Sequence, residues 1–257
     1  MALEPPDPIE TVLDGTPSPD RSLLLVNRDA PKPVATLLED AFENHSLTVA
    51  DREIPNGTED VACLVEDGEV AATTPLSELE RAYLLVNADR YRSGTKQIRS
   101  GSFPEVLTAL NDTEFRVRGF PESNREKLLL VLISRFIEHR ALEAGDGRLR
   151  ATFQKLSRLD DERGTKQVYS WLADSGVDTH VYGIDDDARA ASELDVTVHT
   201  GRDEPYRRSW YVVFRPPDGG DGVALVAIET GDNVWRGAWT HDADRVRRID
   251  SYLDEWF

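Results

Sequence analysis

Residues Gly164 to Gly183 read GTKQVYSWLADSGVDTHVYG, and their order sets out a helix, a sharp stop and then a strand. The strand carries His180 and Tyr182 on alternate positions. Neighbours on a strand face opposite ways, so Val177, Thr179 and Val181 point to one side and Asp178, His180 and Tyr182 to the other. The stretch LDVTVHT splits in the same manner, with Leu194, Val196 and Val198 against Asp195, Thr197 and His199. With the valines of both strands turned to a helix layer, His180, Tyr182, Thr197 and His199 share the opposite face. That polar and aromatic row is either a binding surface or the wet side of a sheet.

Outward from this stretch, strands are expected at SWYVVFR (209–215) and GVALVAIET (222–230), joined by the hairpin-like PPDGGDG, which makes the pair antiparallel. DADRVRRIDSYLDEWF closes the chain as an amphipathic helix with Val246, Ile249 and Leu253 on one stripe. Upstream, SLLLVN, SLTVADREI, VACLVE and AYLLVN read as strands, and PVATLLEDAFENH places Val34, Leu37, Leu38 and Phe42 at helical spacing. Strands alternating with helices imply an α/β or α+β fold, with mixed or antiparallel sheets flanked by helices.

SNREKLLLVLISRFIEHRALEAGDG opens with Ser123 and Glu126 in capping-box spacing and stops at Gly145. Leu128 to Ile133, Phe136 and Ile137 leave it apolar nearly all round. Such a helix is buried on several sides, inside the fold or against a second copy of the chain as a dimer or signal-transmitting helix. The expected division is a proline- and acid-rich leader over 1–20, an α/β region over 21–122, the buried connecting helix over 123–145 and a further region over 146–257. A four-residue echo, GTKQ at Gly94 and again at Gly164, is followed each time by a helix, a turn, a strand and a glycine. It raises the prospect of two similar halves.

The chain holds 48 Asp and Glu against 30 Lys and Arg, a net charge of −18, and only five of its bases are lysine. An acidic, lysine-poor surface that retains arginine stays hydrated in molar salt, where the Debye length falls to about 3 Å. The composition therefore reads as halophilic and archaeal. The same charge opposes direct nucleic-acid binding by counterion release. Cys63 is the single cysteine, set in an apolar run that predicts a buried thiol and excludes a disulfide framework. No segment approaches the roughly 18 apolar residues of a membrane span, and MALEPPDPIE has neither a basic end nor an apolar stretch. A cytoplasmic location is expected.

Catalytic signatures are scarce. The sequence contains no GxSxG, P-loop, HExxH or complete GxGxxG, and its five histidines, His45, His139, His180, His199 and His241, are dispersed. No metal set and no cofactor are indicated. Acidic runs at Asp160 and Asp185 read as solvated loops. Trp210, Trp235 and Trp239 fall within thirty residues, a concentration suited to a flat ligand or a packed lid. Glu229 ends the apolar ALVAIE run, so its carboxylate must be solvated, paired with a base such as Arg236 or offered to a ligand. The candidate ligand-binding set is His180, Tyr182, His199, Trp210, Glu229, Trp235 and Trp239. As a rival, His180, His199 and Glu229 could serve an enzyme as acid and base groups.

LRATFQKLSRLDDERGTKQVYSWLADSGVDTHVYG, followed in order by SWYVVF, ALVAIET and WRGAWTHDADRV, resembles the DICT sensory domain, a module found with diguanylate cyclases and two-component systems. The likeness is densest from Gly147 to Val246 and weakens towards Phe103. It implies a signal-input module connected to light or other environmental responses, with no defined catalytic set. Its output would lie in a separate partner such as a histidine kinase, a cyclase or a transcription regulator. The rival within signalling is an adaptor that binds protein and no small ligand.

The charge makes the first prediction. Because a net charge of −18 must be screened before the chain compacts, the midpoint of thermal unfolding is expected to rise steeply between dilute buffer and molar KCl. A flat midpoint across that range removes the halophilic reading.

Overall fold

The computed structural model describes residues 13, 20–29, 33–42, 47–57, 60–89, 103–118, 127–161, 163–186 and 189–257. Its first sheet is built from β1 (Arg21–Val26), β2 (Leu47–Arg52), β3 (Val61–Glu66) and β4 (Glu69–Pro75), with α1 (Pro33–Phe42) between β1 and β2. The order is β2-β1-β3-β4; β1 and β2 run parallel, while β3 is antiparallel to both β1 and β4. Asp67 and Gly68 turn β3 into β4 with φ of 51° and 85°, the paired positive angles that favour a two-residue hairpin turn.

After β4 comes α2 (Leu76–Asp89), and it takes in AYLLVN, the run expected as a strand. Five apolar residues do not distinguish strand from buried helix by periodicity. The upstream residues decide it: Leu76, Leu79 and Ala82 recur every third position and are all buried. Cys63 also departs from expectation. It is half-buried, because the β3 alternation turns Ala62 and Leu64 to the core and Cys63 away; partial burial still pushes its thiol pKa up.

The second sheet draws on the remainder of the chain. In order come α3 (Glu105–Ala109), β5 (Phe115–Arg118), α4 (Lys127–Ala144), β6 (Arg148–Lys155), α5 (Arg158–Asp161), α6 (Arg163–Ala173) and β7 (Asp178–Ile184). They are followed by α7 (Arg189–Glu193), β8 (Thr197–Thr200), α8 (Glu204–Arg208), β9 (Ser209–Arg215), β10 (Val223–Gly231), β11 (Val234–Thr240) and α9 (Ala243–Trp256). The strand order is β5-β11-β10-β9-β6-β7-β8, with β6, β7 and β8 parallel and the other pairs antiparallel. The strands expected at 177–184, 194–200, 209–215 and 222–230 are β7 to β10, and β9 and β10 pair antiparallel as the connecting PPDGGDG implied. β4, β6 and β11 were not anticipated.

The molecule is thus a mixed α+β fold of two sheets flanked by helices. The sheets share a connectivity: β1, α1 and parallel β2, then β3 antiparallel on the other side of β1, then β4 on β3. The same plan recurs as β6, α5 with α6, parallel β7, then β9 and β10. The GTKQ echo does not map onto this repeat. Its first copy lies outside the described residues, and the strand that follows it, β5, pairs with β11.

α4 ends where expected, at Gly145, whose φ of +65° suits glycine; the proposed cap at Ser123 and Glu126 lies outside the described residues. Leu129, Leu130, Leu132, Ile133, Ile137 and Ala141 are buried, and so are Ser134, Arg135 and Glu138. The helix lies on β6, β9 and β10, with α2 and α6 also against it, so its apolar girth is covered within one chain. The opposite face of the second sheet is covered by α9, whose Val246, Ile249 and Leu253 pack on Val213, Ala224 and Val226. No helix among the described residues is long and apolar enough to cross a membrane.

Ile133 is 4% exposed. Ile133→Asp places an unpaired carboxylate in this core at a cost of several kcal/mol, comparable with the whole stability of a domain. Circular dichroism and chemical denaturation are expected to show loss of cooperative unfolding; a folded variant of unchanged mass would place α4 at a surface.

Candidate functional site

Parallel pairing of β7 with β8 sets His180 opposite Thr197 and Tyr182 opposite His199. The alternation read from the sequence brings these side chains to one face of the sheet, the face beneath α9. His180 Nδ1 lies 2.9 Å from His199 Nε2, and the His199 ring stacks on Tyr182 at 4.3 Å between centroids with 8° between planes. Two neutral imidazoles at this distance share one hydrogen, one ring donating and the other accepting. A second proton would set two N–H groups against each other. Burial, reinforced by the charge on His180 and by Arg150, lowers the His199 pKa from 6.5. His180 Nε2 lies 3.0 Å from Asp178 Oδ1 but off the line of a hydrogen bond.

The next strand supplies a buried charge. Arg150 on β6 stands in register with His180 and is 1% exposed. Its Nε lies 3.0 Å from Asp250 Oδ1 and its Nη2 donates to Asp254 Oδ1 at 2.7 Å. Asp250 also receives Arg215 Nη1 at 2.5 Å. Asp250, Asp254 and Phe257 follow at helical spacing along one side of α9. The start of that helix is fixed by Asp242, whose Oδ1 accepts from the Arg245 N–H at 2.8 Å. The hydrogen bond from Arg150, with its charge, holds Asp254 below the usual carboxylate range. Burial pushes Tyr182, 2% exposed, up to about 12, so its hydroxyl stays protonated.

The remaining candidates do not join this row. Trp210, Trp235 and Trp239 lie on the other face, towards α4. Trp210 Nε1 donates to Ser134 Oγ at 3.1 Å and its ring meets Trp235 edge-on at 6.2 Å. Trp239, 1% exposed, packs against Phe115 at 5.6 Å. Gly237 between the last two is required by close approach: a Cβ there would stand 2.6 Å from the Val226 carbonyl oxygen and 2.7 Å from the Phe115 ring. Glu229 braces the β10–β11 turn, its Oε1 accepting the Asn233 N–H at 2.8 Å and its carbonyl accepting Arg208 Nε at 2.9 Å. Arg236 pairs with Glu114 instead. β10 is three strands from β7, so His180, His199 and Glu229 do not form one acid–base set.

Sequence reading missed Arg150, Asp250, Asp254 and a group of aromatic side chains around Phe257. The Phe257 ring lies 5.7 Å from Tyr182, 4.7 Å from Tyr206, 6.0 Å from Tyr211 and 6.3 Å from Tyr252, and the Tyr206 hydroxyl donates to the Phe257 carbonyl oxygen. The available signal was the spacing of Asp250, Asp254 and Phe257, beside the apolar stripe that was read. The described residues hold no group of three or more His, Cys, Asp or Glu placed to bind a metal.

GTKQ itself is partly structural. Thr165 Oγ1 accepts from Arg135 Nη2 at 2.7 Å, while Arg135 Nη1 donates to Glu138 Oε2 at 2.6 Å, all three residues being buried. Lys166 bridges Asp160 and Glu193 at 3.6 and 2.7 Å. The motif therefore ties α6, which leads into β7, to the buried polar side of α4.

No curated protein matches the chain. Among solved structures, a polyphosphate kinase from Porphyromonas gingivalis aligns at 11% identity with a TM-score of 0.33. The alignment covers 95% of this chain and 47% of the kinase, so the chain spans about half its length; a likeness this slight carries no common fold or activity. The family model for DICT, the sensory domain in diguanylate cyclases and two-component systems, matches residues 105–227. The match runs from the start of α3 through α4 and the central strands into β10. It contains every residue of the His180, Tyr182 and His199 row together with Arg150, and over residues 105–227, just under half of its length, the chain is similar to the DICT sensory domain.

Proposed function

We propose that this protein is a cytoplasmic signal-input module that binds a small ligand on the second-sheet face beneath α9 and regulates a separate output protein. A histidine kinase, a cyclase or a transcription regulator is the class of partner. The reading is carried by one observation: the His180, Tyr182 and His199 row and Arg150 lie in the stretch similar to a sensory domain, and Arg150, in register with His180, pairs with Asp250 and Asp254 of α9. A change at the row reaches α9 through the buried pair of Arg150 and Asp250, which must stay paired, and through the exposed Asp254 beside it. α9 is the element that would present the change to a partner.

Native mass spectrometry of the full chain, purified in molar KCl, tests this. A small-molecule adduct is expected in the unsubstituted protein and is expected to disappear in His180→Ala and His199→Ala, with their unfolding midpoints nearly unchanged. Trp239→Ala is the contrasting case: its buried ring contributes to the core, so a loss of about 3–5 kcal/mol of stability is expected. An adduct that survives both histidine substitutions, or a ligand-free chain that holds a stable protein partner, overturns the ligand-binding reading; the second result makes the protein an adaptor.

The row also has a pH signature. The folded pKa of His199 lies below its ordinary 6.5, so between the two values the unfolded chain binds a proton that the folded chain does not. Stability therefore rises with pH and is lost as pH falls below about 6.5. His241, likewise lowered by burial, adds to the same window. Asp178, pushed up by burial but held down overall by His180 and Arg148, and Asp254, held down by Arg150, act lower: their contribution is present above 3.8 and is lost as pH falls through their folded values. In urea titrations at stepped pH, His199→Gln is expected to remove part of the loss that sets in as pH falls below about 6.5 and to leave the loss below about pH 3.8 in place.

A further inference from the structure

The second sheet's α9 face changes character along the helix. Beneath the earlier turns of α9 it is largely aliphatic, with Val213, Ala224, Val226 and Ile228 against Val246, Ile249 and Leu253. Beneath the last turn it becomes aromatic and polar. There four tyrosine rings surround Phe257 at 4.7 to 6.3 Å, and that ring is only half-buried.

Arg150 Nη1 and the Tyr211 hydroxyl, on side chains 1% exposed, have no hydrogen-bond partner among the described residues; Arg150 Nε and His180 Nε2 on this face also lack one but lie 3.0 Å from the carboxylates of Asp250 and Asp178. A buried donor without a partner is destabilising, and more so when it is charged, so the pair of Arg150 Nη1 and the Tyr211 hydroxyl is satisfied when an acceptor arrives. The strands of Arg150 and Tyr211 are adjacent. Arg150 is opposite Val213 across the β6–β9 pair, which makes Tyr211 its diagonal neighbour on the same face, at about 7–8 Å between Cα atoms. Burial raises the Tyr211 hydroxyl pKa well above its ordinary value, so it remains a donor.

We propose that the cage of Tyr182, Tyr206, Tyr211 and Tyr252, filled by the ring of Phe257, is a ligand site for a small carboxylic acid that bears an aromatic ring. The ligand's ring takes the place of the Phe257 ring and its carboxylate accepts from Arg150 Nη1 and the Tyr211 hydroxyl. Asp250 and Asp254 remain on the other nitrogens of Arg150, so the guanidinium is shared and no bond to α9 is lost. Release of Phe257 frees the last turn of α9, the end also held by the Tyr206 hydroxyl. The inference rests on the reading of this face as the input site and supplies its ligand class.

The test compares 3-phenylpropionate with its uncharged amide, 3-phenylpropanamide, by titration calorimetry on the full chain carrying Phe257→Ala. Any apolar cavity admits a phenyl ring, so ring binding alone does not decide; an apolar cavity without an anion site favours the amide. The expected result is acid bound about ten-fold more tightly than amide, and more tightly than by the unsubstituted chain. Equal affinities, preference for the amide, or no binding of either overturns the proposal. Where Phe257→Ala is unfolded by circular dichroism, Phe257→Leu, which keeps an apolar anchor on α9, decides by the same ratio. If the native adduct is lost in His199→Ala while this ratio fails, the input face stands and the aromatic-acid cage falls. If the ratio holds and no native adduct is found, the cage stands and the broader reading fails.

Discussion

A guanidinium sealed inside a protein must keep its counter-charges, and Arg150 imposes that requirement on the centre of the second sheet. Its side chain is 2% exposed, against 6% for Asp250 and 70% for Asp254. Removing one member of such a group strands a charge where water cannot reach it, which is far more costly than losing an exposed pair. The position of α9 is therefore held by an electrostatic demand of β6 as well as by its apolar stripe. Because Arg150 is in register with His180 on one side and Val213 on the other, the same demand reaches the histidine pair and the aliphatic core.

The two faces of this sheet explain what was legible. β7 to β10 announced themselves through alternation or through unbroken apolar runs, and the His180, Tyr182 and His199 row followed from period two alone. β6 did not, because RLRATFQK alternates Leu149 and Ala151 with Arg150, Thr152 and Gln154, and both sets are buried. A polar residue on a strand is ordinarily read as solvent-facing, and here a second helix layer turns that reading around. The same layer accounts for the tryptophans. Being on the α4 side, Trp210, Trp235 and Trp239 are separated from the histidines by the thickness of the sheet. Local pattern gives which residues share a face of one strand but not which layer that face meets. The link from Arg150 to Asp254 spans 104 positions and leaves no local trace at either end.

α4 shows a comparable limit. Its greasy sequence promised burial on several sides, and burial is what the fold delivers, yet Ser134, Arg135 and Glu138 are buried with the leucines. These polar groups connect Trp210 on β9 to one point of the helix and Thr165 of the GTKQ motif to another. A helix held by shape alone can rotate among near-equivalent apolar contacts, whereas directional bonds from buried donors fix its orientation. The motif that begins the strand-bearing stretch therefore sets the angle at which the layer beneath that strand lies.

β5 is made early in the chain and used late. Its four residues, Phe115–Arg118, occupy the outer edge beside β11, and the ion pair beside it joins Glu114 to Arg236 across 122 positions. Until β11 exists and has paired with β10, the growing sheet has no place for β5. Closing so long a loop costs only a little more than closing a short one, since the entropy grows with the logarithm of length, but it delays the contact. The long edge of β11, an invitation to strand addition by another chain, is therefore replaced by the edge of a four-residue strand waiting upstream, too short to template much pairing, so this side of the sheet is blunted only once its C-terminal hairpin is in place.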